Sequence, residues 1–221
     1  MTYYPVFLRL GGERCVVIGG GEVAERKVDS LLAAGARVTV VAPSLTPALA
    51  ERLARGEVTH FHRAYQNGDL DGARLAYAAT DDEELHAELA GAAAAAGVML
   101  NVVDRAQWCS FIVPAVLRRS ELTVAVSTGG GSPALAARVR DDIGHHLGPE
   151  YERALDILAR LREHLQAQAA LSSAERQRIL RELVASELLE CLRQPDPAAV
   201  DRLLAAHAGA QVTLASLGAH L

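Results

Sequence analysis

A glycine-rich turn is the first feature of this sequence that could do chemistry. An apolar run over residues 15–18 is followed by Gly19, Gly20 and Gly21, and Gly19, Gly21 and Ala24 match the pattern G-x-G-x-x-A. In this pattern the first glycine permits a tight turn, the second lets the backbone approach a pyrophosphate, and the small third residue lets a helix pack closely on the strand. The N–H groups that begin such a helix attract phosphate oxygens. The spacing predicts a dinucleotide site, with an ordinary glycine turn as the alternative.

Two polar residues follow predicted strands that should end at the same edge of one sheet. Asp104 ends an apolar run over residues 99–103, and Thr80 ends another over residues 75–79. A carboxylate beside a bound dinucleotide could remove a proton from a substrate while hydride leaves for the cofactor, so Asp104 is the candidate base. The alternative is an aspartate that caps a loop. Thr80 could contact the cofactor, or it could form a capping box with Glu83 at the start of the next helix.

A second glycine-rich loop follows a predicted strand at residues 122–126. Ser132 and Pro133 suit the N-cap and first position of a helix, and Arg138 and Arg140 follow on that helix. Loops of this kind bind anions through backbone N–H groups, and the alternative is a well-capped turn. The candidate ligand-binding residues of this loop are Ser127, Thr128, Gly129, Gly130 and Ser132.

The residues after the second predicted strand depart from the usual dinucleotide pattern. An acidic residue about 20 positions after the glycines commonly binds the ribose hydroxyls, but here residues 37–41 are followed by Ala42, Pro43 and Ser44. No arginine follows immediately that could pair with a 2′-phosphate. Pro43 and Ser44 are therefore candidate ribose contacts, and the spacing alone leaves NAD and NADP open.

Alternating strands and helices must position these residues. Between residues 14 and 104, short β-branched runs alternate with helical patterns, which predicts an α/β, Rossmann-like domain with a doubly wound, mostly parallel sheet. From residue 150 onward the apolar residues recur at helical spacing, which predicts an all-helical C-terminal module, including helices at 172–192 and 197–209. We expect three parts: a dinucleotide-binding domain at 1–113, a small α+β segment at 114–148 and the helical module at 149–221.

Composition narrows the class of partner. The net charge is −5, which argues against nucleic acid as a partner. No apolar run approaches the 18 or so residues of a membrane span, and the first residues lack the pattern of a signal peptide, so we expect a cytoplasmic protein that binds no membrane. Cys15, Cys109 and Cys191 are too widely spaced to suggest a metal site. His145 and His146 are adjacent on a predicted helix and cannot readily share one ion, so we expect no resident metal.

Six motifs occur in order along the chain, at residues 5–8, 17–27, 78–82, 101–104, 110–115 and 124–133. Together they resemble the precorrin-2 dehydrogenase and sirohydrochlorin ferrochelatase family, which also forms the N-terminal module of siroheme synthases. The resemblance implies NAD-dependent oxidation of precorrin-2 to sirohydrochlorin, and for some relatives insertion of Fe²⁺ to give siroheme. It also implies that the segment after Pro114 forms a homodimer and that the helical tail helps to enclose the tetrapyrrole.

The resemblance assigns roles to individual residues, with Asp104 as the catalytic base. The implied cofactor-binding residues are Gly19, Gly20, Gly21, Glu22, Val23, Ala24, Pro43, Ser44, Thr80 and Val102. The implied substrate-binding residues are Asn101, Ser127, Thr128, Gly129, Gly130 and Ser132.

Two other classes of protein carry a glycine turn of this kind. A dimeric nucleotide-sensing regulatory domain would need neither Asp104 nor the loop at residues 127–133. A dehydrogenase of small hydroxy acids usually places a histidine or a lysine–tyrosine arrangement near the nicotinamide, and neither occurs at a predicted strand end.

Overall fold

The structure is a computed structural model that describes residues 3–221. Its internal contacts divide the chain into two compact units, Met1–Val113 and Pro114–Leu221. The further division at residue 148 stays a prediction. Each unit has its own hydrophobic core.

The first unit is built on a five-stranded parallel sheet with the strand order β3-β2-β1-β4-β5. This order places the switch in direction between β1 and β4, the point where open α/β sheets bind their ligands. The predicted Rossmann-like α/β fold is confirmed. Its strands are β1 Arg14–Ile18, β2 Arg37–Val41, β3 Val58–Phe61, β4 Leu75–Ala78 and β5 Met99–Val102, and its helices are α1 Glu22–Ala33, α2 Pro47–Ala54 and α3 Glu83–Ala96, with a 3-10 turn at Ala106–Trp108.

Both faces of this sheet are buried, which explains why its strands are apolar runs without polar alternation. On β1, the side chains of Cys15 and Val17 enter one core cluster, which includes Val28 of α1. The intervening Val16 enters the other cluster, which includes Leu89 of α3. The sheet therefore carries α1 on one face and α3 on the other, and the turns at its carboxyl edge lie between these helices.

The predicted capping box at Thr80 and Glu83 is wrong. Asp82 is the N-cap of α3, because its Oδ1 accepts a hydrogen bond from the N–H of Leu85 at 3.1 Å. The Thr80 carbonyl instead faces the ring of His86, whose Nε2 lies 2.8 Å from it. Four acidic residues in a row, at positions 81–84, follow Thr80 and allow more than one start for this helix, and the local backbone selects Asp82 as the N-cap.

The second unit begins with an antiparallel hairpin, β6 Ala115–Arg119 and β7 Leu122–Val126. Helices α4 and α5 both pack on this hairpin. The predicted helical module is present, and its helices bury a leucine-rich core of their own. The helices are α4 Pro133–His146, α5 Pro149–Ala167, α6 Ser173–Ala185, α7 Leu188–Arg193, α8 Pro197–Ala208 and α9 Leu214–Leu217.

The predicted helix at 172–192 is interrupted. Ser186 has an extended backbone with φ −80° and ψ −173°, and its Oγ donates to the carbonyl of Leu183 at 2.6 Å. The break reorients the chain so that Leu183 before it and Leu188 after it are both buried in the same core. Ser172 and Glu175 form a capping box at the start of α6.

Asp69 fixes the loop that follows β3. Its carboxylate accepts hydrogen bonds from Nη1 and Nη2 of Arg63, each at 2.7 Å, and from the N–H of Gln66 at 2.8 Å. The Asp69 side chain is only 6% exposed. The hydrogen bonds from Arg63 hold the pKa of Asp69 below its usual range. This ion pair matters to the site because Tyr65, within the same loop, lines the cleft described below.

Replacing Asp69 by asparagine should therefore destabilise the protein in a pH-dependent way. A carboxyl whose pKa is lowered by folding stabilises the fold above its unfolded pKa of about 3.9, and this contribution is lost as the pH falls through the folded pKa. We expect Asp69→Asn to lower the free energy of unfolding by about 1–3 kcal/mol at pH 7, and by progressively less below about pH 4. Urea unfolding at pH 7 and below about pH 4 measures the loss in free energy of unfolding at each pH. The control is Asp71→Asn, which changes an exposed neighbour. An equal loss at both pH values would contradict this role.

Candidate active site

The predicted site residues of the first unit converge on the carboxyl edge of the parallel sheet. The glycine turn follows β1, residues 42–44 follow β2, Thr80 follows β4 by one residue after Ala79, and Asp104 follows β5. Because all five strands are parallel, these turns share one edge. The structure therefore brings together residues that are up to 85 positions apart in the sequence (from 19 to 104).

Each of the three glycines meets a different steric constraint. Gly19 has φ +116°, and a Cβ there would collide with the carbonyl oxygen of Ala79. A Cβ on Gly20 would collide with the carbonyl oxygen of Ser44. A Cβ on Gly21 would meet nothing within 4 Å. Gly19 and Gly20 are thus required by the protein's own packing, whereas Gly21 leaves open space at the start of α1.

A cleft of about 440 Å³ lies directly on this turn. The three glycines and residues 41–46 form part of its wall, which includes the predicted contacts Pro43 and Ser44, and Tyr65 and Thr80 also line it. The free N–H groups in the first turn of α1, an open approach at Gly21 and a cleft beside them are what a dinucleotide pyrophosphate requires. The residues present fit an NAD(P) cofactor.

Tyr65 is a cleft residue that the sequence did not predict. Its hydroxyl is buried and has no hydrogen-bond partner among the described residues, and burial raises its pKa. Because the hydroxyl is buried, Tyr65 lines the cleft with the rest of its side chain. No local motif marks Tyr65, because it reaches the cleft through the loop that Asp69 fixes.

The remaining predicted cofactor residues occupy different environments. Glu22 is exposed and Val23 is half-buried at the start of α1, while the side chain of Ala24 is fully buried against the sheet. Val102 is also buried, and both of its backbone polar groups face the Cys109 sulfur, at 3.2 Å from N and 3.1 Å from O. The structure does not bring the Val102 side chain to the cleft.

Asp104 is held in an uncommon backbone conformation at the end of β5. Its φ is +60°, in the left-handed region, and the N–H of Arg105 donates to the carbonyl of Val102 at 3.2 Å to close the turn. Aspartate tolerates this region better than most residues. The exposed side chain of Asp104 is therefore presented by a tight turn, where a carboxylate could accept a proton from a bound molecule.

Asn101 lies on β5 beside Tyr77 of β4. Its Nδ2 donates to the carbonyl of Phe111 at 2.9 Å, so part of its amide holds the chain segment that follows β5. The Phe111 ring packs edge-on against Tyr77 with ring centroids 5.6 Å apart. Asn101 is buried, and in this structure its side chain anchors the segment that follows β5.

Lys27 is a second residue that was absent from the predicted site. It projects from α1, and its Nζ lies 5.2 Å from the centre of the Tyr77 ring, a cation–π distance. Burial lowers the pKa of Lys27, the charge of Arg26 lowers it further, and the charge of Asp104 raises it. A signal was present in the sequence, because Lys27 closes the motif at residues 17–27.

The second glycine-rich loop, which belongs to the second unit, is ordered by its hydroxyl groups. Thr128 Oγ1 donates to the carbonyl of Ser132 and accepts from its N–H, both at 3.0 Å. Ser127 Oγ accepts from the N–H of Gly129 at 3.1 Å, and Ser132 caps α4 as predicted. Gly129 and Gly130 have φ values of +64° and +88°. The loop is thus a preformed turn that presents backbone groups at a helix start.

The arginines that follow this loop are paired within their own helix. Arg138 contacts Asp142 at 2.9 Å and Arg140 contacts Asp141 at 2.6 Å. Their charges are therefore offset by neighbouring carboxylates, which weakens the expectation that they serve an anion.

The described part of the chain shows neither a cluster of metal-ligating side chains nor a membrane-spanning helix. Residues 3–221 contain no group of three or more His, Cys, Asp or Glu side chains that could hold a metal ion. Within the same range, none of the helices combines the length and apolar character that a membrane span requires.

Comparisons with known proteins agree with this architecture. Residues 6–115 match the family model described as "Putative NAD(P)-binding", and residues 119–146 match the model described as "Sirohaem biosynthesis protein central". Among solved structures, SirC, precorrin-2 dehydrogenase, superposes with a TM-score of 0.70 at 25% identity, covering 87% of this chain and 96% of that one.

Proteins of similar sequence include several siroheme synthases. The siroheme synthase of Chromobacterium violaceum is 50% identical over 140 residues, which are 63% of this chain and 30% of that protein. The siroheme synthase of Pseudomonas aeruginosa strain PAO1 is 39% identical over 208 residues, 94% of this chain and 44% of that protein. The chain thus spans less than half of the length of these relatives. It belongs to the NAD(P)-binding family of siroheme biosynthesis that includes SirC and the matching region of the siroheme synthases.

Proposed function

We propose that this protein is an NAD-dependent dehydrogenase that oxidises precorrin-2 to sirohydrochlorin. The observation that carries the proposal is the carboxyl edge of the parallel sheet. The dinucleotide cleft lies at this edge, and the exposed carboxylate of Asp104 lies at the same edge, after β5. Family membership and the likeness to a precorrin-2 dehydrogenase supply the substrate class. The reaction removes two hydrogens from the macrocycle, one as hydride and one as a proton.

The chain's own groups provide binding and proton transfer. Bound NAD supplies the hydride acceptor. The first-turn N–H groups of α1, contributed by residues 22–24, would bind the pyrophosphate. Pro43, Ser44 and Thr80, which line the cleft, would contact the rest of the dinucleotide. Asp104 accepts the proton that the macrocycle loses, because an ionised carboxylate at this edge is a competent general base.

The substrate is a polycarboxylate, so its binding requires hydrogen-bond donors and positive charge. The preformed loop of the second unit is our candidate for the hydrogen-bond donors, whereas Asn101 of the first unit is buried and its amide already holds the Phe111 carbonyl. The loop offers hydroxyls and N–H groups at the start of α4, and its internal hydrogen bonds keep them in place without a ligand. The contributing loop residues are Ser127, Thr128, Gly129, Gly130 and Ser132.

A homodimer is part of the proposal. An isolated two-stranded hairpin is only marginally stable, and one face of β6–β7 is covered by α4 and α5. Val116, on the other face, is 37% exposed beside the exposed Ala125 of the paired strand. A second copy of the chain would bury this face. We expect sedimentation at twice the chain mass and dissociation in Val116→Glu; a monomeric wild-type protein would contradict this.

Insertion of Fe²⁺ into sirohydrochlorin is a second candidate activity, supported by the name siroheme synthase that the relatives carry. Since residues 3–221 offer no metal cluster, the nitrogen atoms of the macrocycle would have to supply the iron ligands. Spectra of sirohydrochlorin with Fe²⁺, with and without the protein, test this activity separately from the dehydrogenase.

A cytoplasmic location is also part of the proposal, and the free cysteines support it.

The dehydrogenase proposal is tested by anaerobic incubation of the protein with precorrin-2 and either NAD or NADP, following the absorbance of sirohydrochlorin. We expect oxidation that requires both protein and NAD. A nucleotide-sensing domain would bind NAD without turnover, and a hydroxy-acid dehydrogenase would leave precorrin-2 unchanged. Either result would contradict the proposal.

A further inference from the structure

Lys27 is chemically unique in this chain. It is the only lysine among 22 Lys and Arg residues, so every other basic side chain of this set is a guanidinium. An ammonium is a compact charge with three rotatable donors, and it suits a single carboxylate approached from several directions. The one ammonium side chain of this protein, that of Lys27, lies close enough to the candidate base Asp104 to be influenced by its charge.

The geometry of α1 directs the Lys27 side chain toward the carboxyl edge of the sheet. Lys27 is the sixth residue of α1, which begins at that edge, so its Cα lies about 8 Å along the helix. Helical side chains lean toward the N-terminus of their helix. The half-buried side chain therefore returns toward the edge, and its Nζ ends 5.2 Å from the centre of the Tyr77 ring.

Within residues 3–221, Lys27 takes part in none of the ion pairs closer than 4 Å. The two acidic side chains of α1 nearest to Lys27 in sequence have other contacts, since Glu25 accepts a hydrogen bond from Thr46 at 2.8 Å and Asp29 pairs with Arg52 at 2.7 Å. The charge of Asp104 attracts Lys27 from beyond ion-pair distance. A half-buried ammonium over an aromatic ring thus keeps its donors for a group that is not part of the fold.

We propose that Lys27 is a further substrate-binding residue, whose ammonium group binds a carboxylate of the tetrapyrrole and so positions the macrocycle beside Asp104. The inference rests on the proposed dehydrogenase function. Asp104 must be ionised to act as a base, and an isolated carboxylate would repel a polycarboxylate substrate. Lys27 offsets that charge locally. The ammonium also regains, through a charge-assisted hydrogen bond, the solvation that it loses by burial.

Binding of the stable product sirohydrochlorin, which carries the same carboxylates, tests this without turnover. We expect Lys27→Met to weaken sirohydrochlorin binding about 10- to 30-fold, to raise KM more than it lowers kcat, and to leave the Kd for NAD within about twofold. Lys27→Arg keeps the charge and should recover most of the affinity. Arg26→Met is the matched control, because it removes a positive charge from the exposed neighbour on the same helix.

A single lysine also permits a direct titration. Reductive methylation with ¹³C-formaldehyde labels one side-chain amine, and its resonance reports the pKa of Lys27. The groups that face it are Arg26, Asp104 and Tyr77, whose hydroxyl stays neutral because burial raises the pKa of Tyr77 to about 12. We expect a pKa below the usual lysine value, lowered further in Asp104→Asn and raised when sirohydrochlorin binds.

The outcomes separate this inference from the proposed function. If the wild-type protein neither binds sirohydrochlorin nor oxidises precorrin-2, the proposed function fails and the inference fails with it. If the wild-type protein does both, while Lys27→Met binds sirohydrochlorin equally well and the ligand leaves the Lys27 resonance unchanged, only the inference is overturned. Lys27 would then be a structural cation over Tyr77.

Discussion

Asp104→Asn should lower the rate of precorrin-2 oxidation about 100- to 10,000-fold, the usual contribution of a positioned general base, while the Kd for NAD stays unchanged. Asparagine keeps the shape of the side chain but cannot accept the proton. It also tolerates a φ of +60°, whereas alanine would add backbone strain at this position. Steady-state kinetics together with NAD titration separate the loss of proton transfer from a loss of cofactor binding.

Asp81→Asn is the matched control for this change. Asp81 is also exposed and also lies in a loop at the carboxyl edge of the sheet, after β4. The control removes the same charge without removing the candidate base, so its kcat should stay within about twofold of wild type. Full turnover by Asp104→Asn, or an equal loss in both variants, would refute the assignment of Asp104 as the base.

The second large effect is expected at the glycine turn, where adjacent positions should fail in different ways. Gly20→Ala places a methyl group against the carbonyl oxygen of Ser44, and Gly19→Ala places one against Ala79 at a positive φ. Both collisions involve backbone that cannot move without opening the sheet edge, so we expect losses of several kcal/mol in stability. Gly21→Ala meets open space in the protein and has φ −86°, which alanine adopts freely.

Gly21→Ala should therefore fold with a melting temperature close to wild type and yet bind NAD at least about 10-fold more weakly, because its methyl group occupies the approach to the pyrophosphate. Calorimetric titration with NAD and thermal unfolding measure the two effects. Gly72→Ala provides a second comparison, since Gly72 has a positive φ of +69° but lies outside the cleft; it should lose some stability and no NAD affinity. Unchanged NAD binding in Gly21→Ala would contradict the proposed position of the cofactor.

The sheet was predictable from the sequence because the start and end of each strand depend on residues that are neighbours in the sequence. Runs such as residues 37–41 are β-branched and apolar, and glycine at a positive φ marks where a strand or helix must end, as Gly97 does after α3. Parallel strands then place their following turns on one edge, which is why the order of motifs alone associates Asp104 and Thr80 with the glycine turn.

Other features depended on contacts that a local pattern does not encode. The start of α3 at Asp82 was decided by the backbone after β4, and Val102 points into the core because residues alternate faces along a strand. Tyr65 lines the cleft because the ion pair between Arg63 and Asp69 holds the loop that contains it. Lys27 required knowing which strand α1 covers, and only the three-dimensional arrangement places it over Tyr77.

The most direct test of the account is the ratio of NADH formed to sirohydrochlorin formed in one anaerobic reaction of this protein with precorrin-2. Removal of one hydride and one proton per macrocycle predicts a ratio of one, with neither product formed when protein or NAD is omitted. Sirohydrochlorin that accumulates without an equal amount of NADH, or NAD that stays fully oxidised in the presence of precorrin-2, would contradict the central claim.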